Sequence, residues 1–570
     1  MSTKSPLLVD SSAASPGLVA TDLIDDLETT SVEESLNSVR HYGSIAIQKS
    51  EPSVSPTRLK IILGCLFVNV FLSALDSTIV ATLLSIIASD LNALPYLSWI
   101  ATSYLLACSA FQPLFGKISD IFGRKSITVF CALLFAFGCL FCGITNSFWV
   151  FAIGRFITGI GGGGFNTLST ITLSDLIETR QRGLYQGYMN IAFGMGTASG
   201  GVIAGIFQNF FGWRSAFLIQ FPICILSGAL VLLFLELPDG SPGRGVQGSS
   251  IWKKLKHMDF IGSILLVASL LFLMYAASSG GRDFPYSSKQ FIIPVVLGTT
   301  QIIIFYFYEL KVASQPVIPV QLLHNRTVLS SSLNCWFISM NVFSILYFVP
   351  LYWLVVKDLS SIDSGNRLLP SAVAISLGSV YAGYRIKKTG KYKNALLFYG
   401  ALTTLGSILV YLLTPSSSAL FEYLVLVPSR FGTGAVITVD LIAMISSVLP
   451  EEQALVTSIQ YGFRSTGSTL GVAIASAIFQ GFLLKDMKFN ISHLEHIPDK
   501  YKSDPDKLQI IIEKALQSTS YIRSGCPEFA REAIISAYSS STHMVFVFVV
   551  VTGLIATLCS YFIEENSLER

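Results

Sequence analysis

Three charged side chains lie inside long apolar stretches of the sequence, and they are the residues best placed to do chemistry. Asp76, Arg155 and Asp440 each sit in a run long enough to cross a lipid bilayer. A charge at the middle of a bilayer costs roughly 2.5–3.5 kcal/mol, so such residues usually line a cavity or pair with another charge. A buried carboxylate also binds a proton more readily than an exposed one. The pattern indicates proton exchange or charge pairing within a membrane.

Each of these residues also has a purely structural interpretation. Asp76 is followed by Ser77 and Thr78, whose hydroxyls offer it hydrogen bonds within one helix. Asp440 suits an ammonium or guanidinium group of a ligand, but it also lies at a depth similar to that of Arg464, with which it could form an ion pair. Arg155 has a counterpart, Arg430, predicted nearer a membrane surface, where a long side chain can extend to the interface.

A charged connection between two apolar runs forms the most specific motif in the chain. Residues 116–125 read GKISDIFGRK, and they cannot lie in hydrocarbon. Gly116 and Gly123 permit close backbone approach and positive φ. Asp120 precedes Arg124 by four residues and Lys125 by five, within reach of a charge-assisted pair. Three basic residues in so short a loop predict the cytoplasmic face.

The composition identifies the elements that must position these residues. The chain is 52% hydrophobic and 13% charged, which is not the composition of a soluble protein of this length. Fourteen apolar runs can span a bilayer, and they predict an all-α membrane protein. The runs begin near Leu59, Ser98, Ser126, Phe148, Gly183, Ser215, Asp259, Gln290, Leu329, Leu369, Ala395, Leu420, Leu455 and Ser541.

Charge placement and composition shifts divide the chain. The short inner loops carry sixteen lysines and arginines and the short outer loops five, which predicts both termini in the cytosol. Residues 1–57 are Ser-rich and acidic and predict a disordered cytosolic tail. We expect a six-helix bundle over 58–237, a cytosolic linker over 238–258, two extra spans over 259–327, and a second six-helix bundle over 328–565. A long luminal loop, 484–540, contains a glycosylation sequon at Asn490.

The two predicted bundles carry related sequences. The segment RFITG at 155–159 recurs as RFGTG at 430–434. The segment at 187–201 can be laid over 458–472, so that Gly196 meets Gly467 and Gly200 meets Gly471, both 271 residues apart. Related halves with a site between them at mid-membrane are a general design of transporters.

Several motifs together resemble the major facilitator superfamily, in its fourteen-span drug:H⁺ antiporter branch. They are the loop 116–125, LDSTIV at 75–80, WIATSY at 99–104, GRF at 154–156 with the glycines that follow, and GWR at 212–214. The resemblance covers about residues 58–565. It implies that Asp76 and Arg155 manage a coupled proton, and that Gly116, Asp120, Gly123, Arg124 and Lys125 form a gating loop. The family's fifth-span motif is kept at Gly196, Gly200 and Gly201, but Thr197 replaces its proline.

Within that branch the chain most resembles the fungal vacuolar basic amino acid transporters. The segments FLSALDSTIV at 71–80 and SDLIETRQRGLYQG at 174–187 carry this resemblance. It implies proton-driven antiport of lysine, arginine or histidine from the cytosol into the vacuole. Apart from the resemblance, we expect Asp440 and Asp76 to be the substrate-binding residues, because a buried carboxylate suits a cationic substrate. The partners expected are the lipid bilayer, protons and a small cationic amino acid.

Two other functions fit the same motifs. A plasma-membrane exporter of drugs or siderophores shares all of the general ones, and a non-transporting nutrient sensor on a transporter fold is a more remote alternative. The sequence contains no catalytic triad, metal-ligand cluster, cofactor motif or nucleic-acid patch, so we expect neither an enzyme nor a cofactor. The run of glycines at 159–164 lacks the ending of a phosphate-binding loop, and we interpret it as close helix packing.

Overall fold

The chain is helical throughout the part that the structure describes. This computed structural model describes residues 55–91, 97–237, 242–246, 254, 258–280, 284–313, 316–318, 320–359, 361–493, 505–517, 521–522 and 525–568. Within these ranges there is no β-strand. Most of the predicted tail, 1–57, lies outside them.

The first bundle is built from eight helices. They are α1 (Pro56–Asp90), α2 (Leu97–Phe111), α3 (Phe115–Phe122), α4 (Arg124–Ile144), α5 (Phe148–Leu176), α6 (Thr179–Phe211), α7 (Trp213–Leu218) and α8 (Gln220–Phe234). A 3₁₀ turn around Pro113 separates α2 from α3. Gly123 and Gly212, with φ of 92° and 80°, make the sharp turns into α4 and α7, because only glycine adopts such φ without strain.

Two helices follow the first bundle, and the second bundle completes the chain. The pair is α9 (Phe260–Ser279) and α10 (Lys289–Lys311), and the carboxylate of Asp259 caps α9 by accepting from the Gly262 amide. The second bundle comprises α11 (Arg326–Val355), α12 (Ser361–Thr389), α13 (Lys393–Tyr411), α14 (Ala419–Leu424), α15 (Val427–Ser446), α16 (Gln453–Ser492), α17 (Pro505–Gln517) and α18 (Glu528–Phe562).

Twelve of the described helical segments are long and apolar enough to cross a membrane. Helices also occupy the two remaining predicted spans, but both depart from a simple span. The helix α2 has only 15 residues before the break at Pro113. The helix α12 carries Lys387 and Lys388 in its last turn and many small polar residues elsewhere. The count of fourteen spans and the cytosolic termini therefore remain predictions.

The internal repeat that the sequence predicts is also found in the packing of the helices. Gly196 of α6 lies against the backbone of Phe71 in α1, and Gly467 of α16 lies in the same way against Trp336 in α11. The helix pairs α1–α6 and α11–α16 are both extensively packed, as are α4–α5 and α13–α15. Equivalent glycines thus join equivalent helices in the two halves.

Helices extend into the predicted luminal loop from both sides. Residues 484–492 continue α16, and 528–540 form the first turns of α18. Leu483, Met487 and Ile491 recur at helical spacing on α16, and all are buried in one cluster with Ala530, Ile534 and Ala537 of α18. The connection between the two helices is accordingly 493–527, and part of it forms α17.

The pair α9–α10 covers one side of the contact between the bundles. We call the seam the surface where α2, α3, α5 and α6 of the first bundle meet α12, α15 and α16 of the second. The helix α9 packs against both α2 and α16, one from each bundle. Its Leu266 and Leu270 share an apolar cluster with Ala110 and Leu114, which fixes the pair beside the seam.

Candidate functional site

The two charges of the first bundle form a buried ion pair. Arg155 of α5 donates from Nη1 to Oδ2 of Asp76 in α1, and both side chains are almost completely shielded from solvent. Ser77 and Thr78 instead bond to backbone carbonyls of their own helix, so they do not satisfy Asp76. Oδ1 of Asp76 and Nε of Arg155 have no hydrogen-bond partner among the described residues. The pair is therefore charge-balanced but incompletely bonded.

Polar side chains surround this pair. The Arg155 guanidinium carbon lies 4.6 Å from the ring centroid of Tyr104 in α2. The Tyr104 hydroxyl lies 3.0 Å from Oγ of Ser73, and Ser73 Oγ also accepts from Nδ2 of Asn166 at 3.0 Å. A polar network from α1, α2 and α5 therefore meets at the ion pair.

The motif loop contains the predicted pair and adds a third charge. Arg124 lies 2.7 Å from Oδ1 of Asp120, as its spacing predicted, and its Nε donates to Oδ2 of Asp175 at 3.0 Å. Arg124 is almost fully buried between the two carboxylates. Burial raises the pKa of Asp120 above its usual range even though Arg124 opposes the shift. Lys125 is half-buried and stands outside this cluster.

A segment of the predicted linker docks on the same loop. The amide of Val246 donates to the Ile121 carbonyl at 3.1 Å. A Cβ at Gly123 would lie 3.0 Å from the Arg244 carbonyl oxygen, and one at Gly243 would lie 2.9 Å from Cγ of Arg124. Residues 242–246 therefore pack against the loop 116–125 rather than extending away from it.

Gly116 marks the end of the helices where the two bundles approach most closely. A Cβ there would lie 2.7 Å from the Ala454 carbonyl oxygen of α16. Elsewhere on this end, which we call the motif end, Gly183 of α6 meets Gly383 of α12, and Arg182 donates to Oε1 of Gln453 at 2.9 Å. The motif end of the seam is closed.

Contacts across the seam continue to about the middle of the helices. Ser109 and Ser465 place their hydroxyl oxygens 2.8 Å apart, and Thr170 and Tyr461 do so at 2.7 Å. Asn190 of α6 donates to Ser379 of α12 at 2.7 Å. Near the opposite end, an added Cβ at Gly205 or Gly481 would meet no atom within 4 Å.

Asp440 lies inside the second bundle and away from Arg464. Its two carboxylate oxygens accept from Nδ2 of Asn334 in α11 at 3.0 and 2.9 Å, and the same nitrogen lies 3.0 Å from Ser560 Oγ in α18. Asp440 is completely buried, and no salt bridge to it is found in the described part of the chain. Its contact with a substrate remains a prediction.

The side chain of Arg430 lies in the interior of the second bundle. It is buried, and its Nη2 donates to the Val342 carbonyl oxygen at 3.2 Å. The residue of α11 that corresponds to Asp76 in the repeat is Asn341, since Phe71 and Trp336, like Leu75 and Met340, lie 265 residues apart. Asn341 bonds to Ser407 and to the Val549 carbonyl. The second bundle thus has an amide where the first has a carboxylate.

Two of the three fifth-span glycines are required by packing. A Cβ at Gly196 would lie 2.4 Å from the Phe71 carbonyl oxygen, and one at Gly200 would lie 1.8 Å from Thr78 Oγ1. At Gly201 the nearest atom, Thr82 Oγ1, would be 3.5 Å away, which is an ordinary contact. Thr197, in place of the proline, donates back to the Phe193 carbonyl at 3.0 Å. The helix α6 is therefore held to α1 without a proline kink.

The predicted glycosylation residue sits on a helix. Asn490 belongs to the last turn of α16, and its Nδ2 donates to the Ala533 carbonyl oxygen of α18 at 3.1 Å. Attachment of a glycan at this nitrogen would break that hydrogen bond. Modification of Asn490 remains a prediction.

Two ionic clusters were not predicted from the sequence. Glu422 of α14 is buried between Arg367 and Lys357, at 2.7 and 2.8 Å. Arg214 of α7 lies 2.6 Å from Oδ2 of Asp90 at the end of α1. The residues of each cluster are far apart in sequence, and no local spacing links them.

Comparison with known proteins identifies the family. The model described as Major Facilitator Superfamily matches residues 66–472. The chain is 33% identical to "Multidrug resistance protein fnx1" of Schizosaccharomyces pombe, over 92% of this chain and 95% of that protein. It is 32% identical to "Vacuolar membrane amino acid uptake transporter fnx2" of the same organism, over 100% and 97%.

A solved structure shares the fold. The proton:xylose symporter XylE aligns with a TM-score of 0.53 and 14% identity, over 88% of this chain and 95% of that one. The resemblance read from the motifs is confirmed, and the helical bundles, the loop 116–125 and the family match agree. The chain belongs to the Major Facilitator Superfamily of membrane transporters.

Proposed function

We propose that the protein is a proton-coupled antiporter that moves lysine, arginine and histidine from the cytosol into the vacuole by alternating access. The buried pair of Asp76 and Arg155 is the observation that carries this proposal. Protonation of Asp76 would leave Arg155 without its counter-charge in a membrane interior, so proton binding must be accompanied by rearrangement around α1, α2 and α5. The name of fnx2 supports an amino acid substrate and the vacuolar membrane.

The proposal includes fourteen spans, with both termini and the motif end in the cytosol. In that orientation the contacts of Gly116, Gly183 and Arg182 close the cytosolic side. The cluster of Asp120, Arg124 and Asp175 then serves as the latch of the cytosolic gate. An acidic lumen supplies protons, and their exit offsets the charge of the cationic cargo.

Asp440 enters the proposal as a second carboxylate of the transport cycle. In the described part of the chain, Asp440 accepts hydrogen bonds from the Asn334 amide and forms no salt bridge with a cation. An ionised Asp440 would therefore be an uncompensated charge inside a membrane, which is costly. Oδ1 of Asn334 has no hydrogen-bond partner among the described residues. A neutral carboxylic acid could donate its proton to Oδ1 of a rotated Asn334 amide, which would give that oxygen a partner. We therefore propose that Asp440 is protonated in this conformation and attracts cationic substrate when it ionises.

One alternative is export of drugs or siderophores at the plasma membrane. The name of fnx1 favours it, because that relative is called a multidrug resistance protein and matches the chain over nearly its whole length. This alternative predicts residence at the cell surface and a dispensable Asp440. A non-transporting sensor predicts instead that neutral substitutions at Asp76 and Arg155 leave the cellular phenotype unchanged.

ATP-dependent uptake of labelled lysine, arginine and histidine into isolated vacuolar vesicles tests the proposal. We expect uptake that requires both the protein and the proton gradient, and that falls in Asp76→Asn and Asp440→Asn. The variant Glu451→Gln is the matched control, because it removes an exposed carboxylate near the motif end of α16. Equal uptake with and without the protein, at confirmed abundance in the vacuolar membrane, would reject the basic amino acid assignment.

A further inference from the structure

Arg464 is a cation at the seam that the transport motifs leave unexplained. It lies eleven residues after the start of α16, which places it about 17 Å along the helix and inside the candidate membrane span. Its guanidinium carbon lies 5.8 Å from the ring centroid of Phe193 in the first bundle and 5.8 Å from that of Tyr461 on its own helix. The side chain is half-buried and faces across the seam.

A small pocket opens beside this guanidinium. Both bundles contribute to its lining, which consists of Gln186, Ile437, Leu441, Gln460, Tyr461 and Arg464. Gln460 is buried, and its Nε2 has no hydrogen-bond partner in the described part of the chain. The Tyr461 hydroxyl, bonded to Thr170, completes a set of polar groups around an apolar floor. Arg464 and Nε2 of Gln460 therefore provide hydrogen-bond donors beside the pocket.

No described carboxylate neutralises Arg464. Asp440 is bonded to Asn334 inside the second bundle, and Asp76 is occupied by Arg155. An unpaired guanidinium inside a membrane span carries the same free-energy cost as any other buried charge, unless it binds an anion. The planar guanidinium of an arginine can donate two parallel hydrogen bonds to one carboxylate. A ligand that carries an ammonium or a hydroxyl in place of the carboxylate cannot accept this pair of bonds.

We propose that Arg464 binds the carboxylate of the transported molecule, with Gln460 as a second donor. The inference rests on the proposed transport function and narrows its substrate class: the ligand must carry a carboxylate, and a positive charge alone is insufficient. The aromatic rings of Phe193 and Tyr461 hold the guanidinium in place, since cations favour the faces of such rings. Amino acids fit this site, and amines of the same shape without a carboxylate do not.

Pairs of compounds that differ in the carboxylate test the proposal. Purified full-length protein is heated with arginine or agmatine, lysine or cadaverine, and histidine or histamine, and the shift in melting temperature gives each apparent affinity. For the wild type we expect each amino acid to bind roughly tenfold or more tightly than its decarboxylated partner, as loss of a charge-assisted hydrogen bond implies. In Arg464→Gln this preference should vanish, and in Arg464→Lys it should be intermediate.

The control Arg326→Gln removes an exposed arginine of the same bundle and should keep the wild-type preference. Equal binding of amino acids and amines by the wild type, or a preference that survives in Arg464→Gln, would overturn the assignment. The assignment would also be overturned if arginine, lysine and histidine all failed to raise the melting temperature of the wild type. Binding does not require transport, so the two experiments can disagree. If vesicles fail to take up amino acids but the purified protein still distinguishes each amino acid from its amine, the proposed function is rejected. The role of Arg464 in binding a carboxylate would still stand.

Discussion

At the scale of single residues, the first bundle places one carboxylate against one arginine where water is excluded. Removing one partner of a buried pair usually costs about 3–5 kcal/mol, because the other charge is left uncompensated. Asp76 and Arg155 therefore combine a structural role with the proposed proton role, and single substitutions cannot separate the two.

A double substitution at this pair separates fold from function. We expect Asp76→Asn and Arg155→Gln each to lower the melting temperature of the purified protein, while the double variant recovers most of the loss because no bare charge remains. Proton-driven uptake should be absent in all three variants. Wild-type uptake by the well-folded double variant would show that this pair does not carry the coupled proton.

The pair of Asp90 and Arg214 gives a prediction about pH. Hydrogen bonds from Arg214 and Trp213 hold the pKa of Asp90 below its usual range. A lowered pKa contributes stability that is present above the unfolded value, about 3.9, and is lost as pH falls through the lower folded value. The melting temperature of Asp90→Asn should therefore differ from that of the wild type by the same amount at pH 7 and pH 5, and by less below about pH 4.

Melting curves of the two proteins over this pH range check the expectation. A difference that collapses between pH 7 and pH 5 would contradict it, since Asp90 would then be titrating above its usual range. If the difference in melting temperature stays constant between pH 7 and pH 5, the ion pair of Asp90 and Arg214 persists in a mildly acidic compartment.

Sequence spacing anticipated only part of the chemistry at this scale. Asp120 and Arg124 were paired correctly because they are four residues apart on one turn of chain. The partner of Asp76 could not be chosen, because Ser77 and Thr78 were as plausible as a residue on another helix. The amide beside Asp440 was missed for the same reason: Asn334 lies 106 residues away, and a single sequence holds no signal for that contact.

At the scale of elements, α6 packs closely against helices of both bundles. It touches α1 through Gly196 and Gly200 and touches α12 across the seam through Gly183 and Gly187. One helix thus contacts its own bundle on one face and the other bundle on another. Small residues on both faces permit this closeness.

Two alanine substitutions on α6 should have opposite effects. Gly196→Ala places a Cβ against the Phe71 carbonyl, and we expect a loss of about 1–3 kcal/mol in the free energy of unfolding. Gly205→Ala meets open space, and alanine is favoured over glycine in a helix by about 0.5–1 kcal/mol. Thermal unfolding in detergent compares them. Equal stabilisation by both would mean that helix propensity, and not packing, governs α6 at these positions.

Apolar runs located the long helices of the bundles, but α3 and α17 lie in segments that were expected to be loops, and the ends of several helices were missed. The break at Pro113 and the short helix α14 interrupt runs that were read as continuous. The extension of α18 back to Glu528 was readable in principle, because Ala530, Ala533, Ile534 and Ala537 recur at helical spacing. Charged residues lie between them, so this segment does not form a uniformly apolar run.

At the scale of the whole molecule, two related bundles carry different side chains at equivalent positions. Equivalent glycines join equivalent helices, yet Asp76 in the first half corresponds to Asn341 in the second. The pair of Asp76 and Arg155, to which we assign proton exchange, therefore has no equivalent at the matching position of the second bundle. The second bundle supplies Asp440 and Arg464, the two charges proposed to meet the substrate.

A cross-link at the seam should stop the transport cycle. Ser109 and Ser465 belong to different bundles and have their hydroxyl oxygens 2.8 Å apart, so a cysteine at each position is expected to form a disulfide in this conformation. We expect oxidised Ser109→Cys/Ser465→Cys to lose uptake and to regain it on reduction. Each single cysteine variant is the control for local damage. Full uptake by the cross-linked protein would rule out separation of the bundles at this point.

The position of α9 has a consequence for lipid-soluble compounds. This helix lies against both α2 and α16, so the flank of the seam on that side faces protein instead of acyl chains. A hydrophobic molecule dissolved in the bilayer has no direct lateral route to Arg464 through this flank. Such a molecule must enter beside α6 and α12 or arrive from the aqueous phase, which favours cargo that is water-soluble.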